Sequence, residues 1–245
     1  MTSFPDYTEQ ELSEGKLGWP DLAELTTATH RKYAEKWGYD YLADRSTFKV
    51  PGDTAWIDQV PADYNSVRTM VKFFLFDTWL DAAACKTKYD WVVWLDADCL
   101  VTNYDLPLTT WFNGMENGAT CEGDLVLASD VNGLHPTVIM IRNTTRTRGL
   151  VWACKEAGTR MFVNHKWSDI MAFRFFLEGP PYSHLPRYFS AKELCAMPPG
   201  IYPTPPDVRA EYEWAPESWT VHFSALSIPV RIALAKKWIQ DYNLL

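Results

Sequence analysis

Two carboxylates one residue apart, Asp96 and Asp98, directly follow the apolar run Trp91-Val92-Val93-Trp94-Leu95. Like charges at that spacing, at the end of a buried strand, are costly unless something neutralises them. A divalent cation does so, and carboxylate oxygens suit the hard ions Mg2+ and Mn2+. An ion held by one or two carboxylates keeps positions open for substrate phosphates. An acidic turn has the same D-x-D spacing; the strand before it, which places the pair at a sheet end, favours the metal reading. His222 is a second candidate ligand, since Mn2+ accepts imidazole as well as carboxylate. A lone histidine in a short alternating segment such as Trp219-Thr220-Val221-His222-Phe223 otherwise has a structural role.

Four further groups carry charge or polarity where a site would need it. Asp169 stands at the start of a helical segment, where capping and the helix dipole already account for it. Asp130, Asn132 and Gly133 form a polar stretch that is either a plain turn or a loop holding substrate hydroxyls. Arg68 and Lys72 lie four apart on one helical face, either solvated or beside an anionic leaving group. Arg231, Lys236 and Lys237 near the C-terminus carry the same ambiguity.

The elements that must position these residues follow from periodicity. A helix starts near Asp21, a good N-cap, with Leu22, Leu25, Tyr33, Ala34 and Trp37 inward, and Gly38 ends it. Tyr39 to Ala43 reads as a short strand, and 44–63 as a surface loop. Val67, Met70, Val71, Phe74, Leu75, Thr78 and Trp79 make one face of a second helix. Trp91–Leu95 suits a strand buried on both faces. Leu125–Ala128 and Val138–Ile141 are two more strands, joined through the turn-like Ser129–Gly133. Helices follow over about 146–158 and 168–178. Proline-rich residues 179–218 read as loop-dominated. The last helix, Val230 to Tyr242, turns Ile232, Leu234, Ala235, Trp238 and Ile239 inward. Strands mixed with helices, and acidic residues at strand ends, indicate an α/β fold with its ligand beyond the carboxyl ends of the strands.

Composition narrows the class. The 245 residues suit a single domain over 1–245. A net charge of −8 and no Lys/Arg block make nucleic acid a poor partner. No apolar run is long enough to span a membrane, and the N-terminus lacks the pattern of a signal peptide. The chain as given therefore reads as soluble, and as cytoplasmic if complete. Five scattered cysteines without a C-x-x-C pair indicate neither a disulfide framework nor a cysteine zinc site. The P-loop, dinucleotide-binding and nucleophile-elbow signatures are absent. Asn143-Thr144-Thr145 is a glycosylation sequon, relevant only in a secretory compartment. The 12 Trp, 12 Tyr and 12 Phe are many, and Trp111, Trp167 and Trp214 are candidates for stacking on a sugar, though core packing explains such residues as well.

Several segments resemble one enzyme family. His30-Arg31-Lys32-Tyr33-Ala34-Glu35-Lys36-Trp37-Gly38-Tyr39-Asp40-Tyr41 resembles the N-(K/R)-x-x-Y-A-x-x-H-G-Y-D-Y segment of glycosyltransferase family 34, the galactosyl-, mannosyl- and xylosyltransferases. Trp91 to Asp98 is similar to that family's W-(I/V)-x-W-L-D-x-D. Asp130-Val131-Asn132-Gly133-Leu134, followed by Val138 to Asn143, resembles its D-x-N-G-L-N-x-G-x-F-L-(I/V)-R-N, with His135-Pro136-Thr137 in place of N-x-G. Ser168-Asp169 stands where the family has Q-D, and Val221 to Ala225 where it has V-H-F-x-G. The five segments fall in family order and fit a divergent, microbial or viral member.

The resemblance implies a GT-A fold, with a mixed, mostly parallel sheet flanked by helices. It implies a nucleotide-sugar donor (UDP- or GDP-sugar), a glycan or glycoconjugate acceptor, Mn2+ or Mg2+, and retention of anomeric configuration. Asp96 and Asp98 would then bind the metal and the donor diphosphate, with His222 a further metal ligand. Asp130, Asn132 and Asp169 would line the sugar and acceptor site, with Gly133 beside them. Asp169 is the candidate carboxylate at the anomeric face. Arg68, Lys72 or a C-terminal basic residue would assist the leaving diphosphate. An inverting GT-A enzyme, a catalytically inactive nucleotide-sugar-binding module and a metal-dependent nucleotide-sugar hydrolase are the rival expectations.

Overall fold

Helical spacing and three apolar runs underlie the longer elements of the computed structural model, which describes residues 19–42, 66–80, 89–112, 115–116, 119–120, 123–130, 133–162, 165, 167–201, 206–224 and 226–245. In chain order the elements are α1 (Trp19–Trp37), α2 (Ser66–Leu80), β1 (Trp91–Leu95), β2 (Cys99–Val101), α3 (Thr109–Phe112), β3 (Met115–Glu116), β4 (Ala119–Thr120), β5 (Leu125–Asp130), β6 (Gly133–Arg142), α4 (Thr145–Arg160), α5 (Ser168–Leu177), β7 (Pro186–Ser190), α6 (Ala191–Leu194), α7 (Pro206–Arg209), β8 (Thr220–His222) and α8 (Ile228–Asp241). They fall into two compact units interleaved along the sequence. One comprises Met1–Ala43, Leu95–Leu108 and Ser190–Leu245; the other comprises Asp44–Trp94 and Thr109–Phe189.

In the first unit β2 and β8 pair antiparallel, with Cys99 opposite His222, Leu100 opposite Val221 and Val101 opposite Thr220. Leu22 of α1, Leu100, Val221, Phe223 and Ile232, Leu234, Ala235 and Trp238 of α8 form its core. α1 begins at Trp19, so Asp21 lies in its first turn, where a negative charge suits the helix dipole, rather than at the N-cap. It ends before Gly38, whose φ of +70° is the left-handed cap that glycine adopts at no steric cost. Tyr39 to Leu42 are not a strand; beyond them, Ala43 and the loop expected over 44–63 lie outside the described residues.

In the second unit a four-stranded sheet runs in the order β1-β6-β5-β7. Its β5–β6 pair is antiparallel, with Asp130 opposite Gly133 at the turn. Gly133 has φ +98°, a backbone that β-carbon-bearing residues rarely adopt. The register shifts between Leu127, opposite Ile139, and Ala128, opposite His135. Pro136 falls in that break, where the ladder to β5 is interrupted. Met70, Phe73, Phe76 and Leu80 of α2 pack with Leu125, Leu127, Ile139 and Ile141 of the sheet and with Leu150, Val151, Phe173 and Leu177 of α4 and α5. A capping box starts α4: Thr144 Oγ1 accepts from Thr147 N–H and Thr147 Oγ1 accepts from Thr144 N–H.

Two more expectations change here. β1 is half-buried throughout rather than buried on both faces, because it ends the order of the described strands; β5 and β6 are the buried pair. The inward face of α2 is Met70-Phe73-Phe76-Leu80, while Thr78 is exposed. That helix is apolar nearly all round, so spacing alone could not choose its face. The described residues of 179–218 are loop-dominated as expected, with the short elements β7, α6 and α7 among them. Among the described residues no helix is long and apolar enough to cross a membrane.

Candidate metal centre

β1 delivers the chain to Asp96, and a tight turn follows, closed by Cys99 N–H donating to the Asp96 carbonyl at 3.1 Å. The chain then enters β2. Because β2 pairs with β8, His222 sits opposite Cys99, one residue from Asp98. Phe223 N–H donates to the Asp98 carbonyl at 3.0 Å, and His222 N–H to the Ala196 carbonyl at 2.8 Å, so both backbones are tied. The outcome is a cluster: one carboxylate oxygen each of Asp96 and Asp98 and one ring nitrogen of His222 all lie within 4.8 Å of one another. Asp98 is 7% exposed and His222 6%, while Asp96 is half-buried.

The two oxygens of Asp98 face different partners. Oδ1 lies 3.3 Å from His222 Nε2. Oδ2 takes a hydrogen bond and ion pair from Arg231 Nη1. Arg231 comes from the first turns of α8 and is itself anchored, its Nε donating to the Leu226 carbonyl at 2.7 Å. Burial pushes the Asp98 pKa up, but His222 and Arg231 outweigh it and bring the carboxyl down from 3.8 to about 2. The Asp98 carboxylate is thus charged at neutral pH and oriented from both sides. Two carboxylates and one imidazole, converging at a strand end, are a donor set that a hard or borderline divalent cation accepts.

The second unit holds the other expected residues. Asp169 lies in the first turn of α5, 3% exposed. Lys72 Nζ from α2 is 2.9 Å from its Oδ2 and donates to the Pro136 carbonyl at 3.0 Å. Thr69 and Ser168 hydroxyls meet beside this pair at 3.2 Å. Lys72 is thereby a buried partner of Asp169 rather than a solvated lysine. Asp130 is half-buried at the end of β5, opposite Gly133. Asn132 lies outside the described residues. Arg68 belongs to the first turn of α2, and its side chain is not among those described. Of the aromatic candidates, Trp111 is buried against Phe189 and Trp214 packs on Trp238 and Tyr242. Trp167 is exposed.

Sequence reasoning missed the polar face of α1. Thr26, Thr29 and His30 are buried there, and all three hydrogen-bond the chain segment around Asp98. They extend the stripe of Leu22 at helical spacing, a signal visible once polar residues are allowed on an inward face. Arg231 had no signal separating it from Lys236 and Lys237.

No protein-family model matches the sequence, and no curated protein matches it either. A solved structure does: a glycosyltransferase involved in the glycosylation of the major capsid of PBCV-1, with a TM-score of 0.59 and 10% identity, over 88% of this chain and 92% of that one. The likeness is one of fold, and this chain has the mixed α/β fold of a glycosyltransferase.

Proposed function

We propose that residues 1–245 act as one metal-dependent glycosyltransferase domain, akin to family 34. It moves a sugar from a UDP- or GDP-sugar to a glycan or glycoconjugate acceptor, with retention of anomeric configuration. The observation that carries this reading is the convergence of Asp96, Asp98 and His222 at a strand end of a glycosyltransferase fold.

The residues fit the ion the reading requires. Arg231 holds Asp98 Oδ2, which leaves Oδ1, on the His222 side, as the oxygen to offer a cation. Asp96 adds a second carboxylate oxygen and His222 a ring nitrogen. One imidazole among oxygen donors favours Mn2+ over Mg2+. When bound, the ion supplies a Lewis acid for the negative charge that grows on the leaving diphosphate. Asp96, Asp98 and His222 hold it, and Arg231 fixes the orientation of Asp98.

In this reading Asp169 is the carboxylate that stabilises the oxocarbenium-like sugar, and Lys72 is its positioning partner. Asp130, Asn132 and Gly133 are the polar group assigned to sugar or acceptor hydroxyls. Arg68 is the basic residue of α2 assigned to the donor phosphates.

The test is thermal stability with UDP, GDP and their sugars, with and without Mn2+, for the natural chain and Asp98→Ala. Ligand at 100 times its Kd stabilises by about 2.7 kcal/mol. The expected result is a Mn2+-dependent shift for one nucleotide, lost in the variant. No shift with any nucleotide in the folded protein would sink the donor-binding reading. The anomeric proton of the product, read by NMR, then tests retention.

A further inference from the structure

The segment His30 to Tyr41 has no role in the chemistry above, yet its first residue is buried deep in the first unit. α1 presents Thr26, Thr29 and His30 on one face, and each is at most 5% exposed. All three spend polar atoms on the segment that carries Asp98. Thr26 Oγ1 donates to the Ala97 carbonyl at 2.7 Å. His30 Nε2 lies 2.6 Å from the Cys99 carbonyl, an acceptor only, so Nε2 carries the proton and donates. Thr29 Oγ1 accepts from Val101 N–H at 3.2 Å. The contacts fall on residues 97, 99 and 101 and bracket Asp98 on both sides.

Both threonines also bond within their own helix: the single Thr26 O–H is shared with the Leu22 carbonyl at 3.1 Å, and Thr29 donates to the Thr26 carbonyl at 2.7 Å. Such bonds form on any helix. His30 differs, because its ring hydrogen bond goes to the Cys99 carbonyl and not to a carbonyl of its own helix. Tyr41 lies edge-on to its ring at 6.5 Å. The Cys99 residue it grips is also tied through its N–H to the Asp96 carbonyl. One hydrogen bond of His30 therefore acts on the turn that joins both carboxylates.

We infer that His30 is a positioning residue for the Asp96–Asp98–His222 metal centre, its imidazole N–H holding the Cys99 peptide so that both carboxylates stay in ligand geometry. This rests on the metal reading given above. Metal ligands must sit within about 0.2 Å of their ideal distances. Loss of the group that orients a ligand costs about 10- to 100-fold in metal affinity.

The experiment is Mn2+ binding to the full chain without nucleotide, followed by loss of the free aqua-ion EPR signal. It compares the natural chain, Asp98→Asn, His30→Phe and His30→Gln, with circular dichroism and thermal melts on each. The Co2+ visible spectrum gives a second readout of ligand geometry. His30→Phe is expected to fold, to bind Mn2+ about 10- to 100-fold more weakly and to alter the Co2+ spectrum. His30→Gln, whose amide N–H can reach the same carbonyl, should restore most of the affinity. A folded His30→Phe with natural affinity and spectrum overturns the inference. If His30→Phe does not fold, His30→Asn, whose amide is too short for the carbonyl, takes its place, and unchanged affinity there is equally fatal. If the natural chain itself binds no Mn2+, the metal reading fails and this inference with it. If it binds and only Asp98→Asn abolishes binding, the metal reading stands and the role of His30 alone falls.

Discussion

Arg231 and Asp98, 133 positions apart in the chain, meet as a buried ion pair in which the guanidinium takes Oδ2 and leaves Oδ1 to His222. The pair sets the charge balance of the cluster. It also makes the cluster sensitive to changes on α8, well away in sequence.

Arg231→Met should destabilise the protein by about 3 kcal/mol, the lower end of the cost of stripping one partner from a buried pair, since His222 still faces the carboxylate. Asp98→Asn in the same chain should recover much of that loss, because a neutral amide needs no counter-charge. Urea denaturation of the two single variants and the double variant measures this. Additive losses would mean that the two residues are not coupled.

Acid should weaken the fold in two stages. Burial, against the pull of the Cys99 carbonyl, lowers the His30 pKa from 6.5 to about 4. Between those values the unfolded chain binds a proton that the folded chain refuses, so stability is complete above pH 6.5 and falls as pH drops toward 4. The loss from this one group is at most about 3 kcal/mol. Asp98 acts lower, its contribution present above pH 3.8 and lost as pH falls through about 2. Chemical denaturation from pH 8 to 3 should show the first slope, and His30→Gln should flatten it. An unchanged slope in that variant would assign it to other groups.

Lys72 and Asp169 are both almost fully buried, with side chains 4% and 5% exposed. Lys72→Met should therefore cost about 3–5 kcal/mol, by leaving a buried carboxylate without its cation. The double change Lys72→Met, Asp169→Leu should be far milder. If Asp169 has the role proposed above, the double variant folds but transfers no sugar, which separates stability from chemistry. Measured melts and transfer assays on the same preparations decide it.

Gly158 of α4 lies where an added β-carbon would meet the side-chain end of Met70 on α2. Gly158→Ala gains about 1 kcal/mol of helix propensity but overpacks a buried contact, typically at about 1–3 kcal/mol. The expected net effect is a small loss of stability, reversed to a gain when Met70→Ala is added to open the space relative to Met70→Ala alone. A stabilised single variant would mean that Met70 repacks freely.

Periodicity and turn chemistry determined most of the elements. The apolar runs at 125–128 and 138–141 became the β5–β6 pair, and the helices over about 146–158, 168–178 and 230–242 lie within two residues of their expected ends. These signals are local, which is why a sequence carries them. The pair Asp96 and Asp98 and the distant His222 were also visible as residue types at strand ends. Tertiary structure alone brought His222 to Asp98, through the β2–β8 register. It chose Arg231 over Lys236 and Lys237 as the counter-charge, turned α2 onto its Met70-Phe73-Phe76-Leu80 face, and buried Thr26, Thr29 and His30 against the carboxylate turn. Each of these depends on which surface a neighbouring element offers. A buried polar residue reads as an exposed one until the carbonyl that satisfies it is in place.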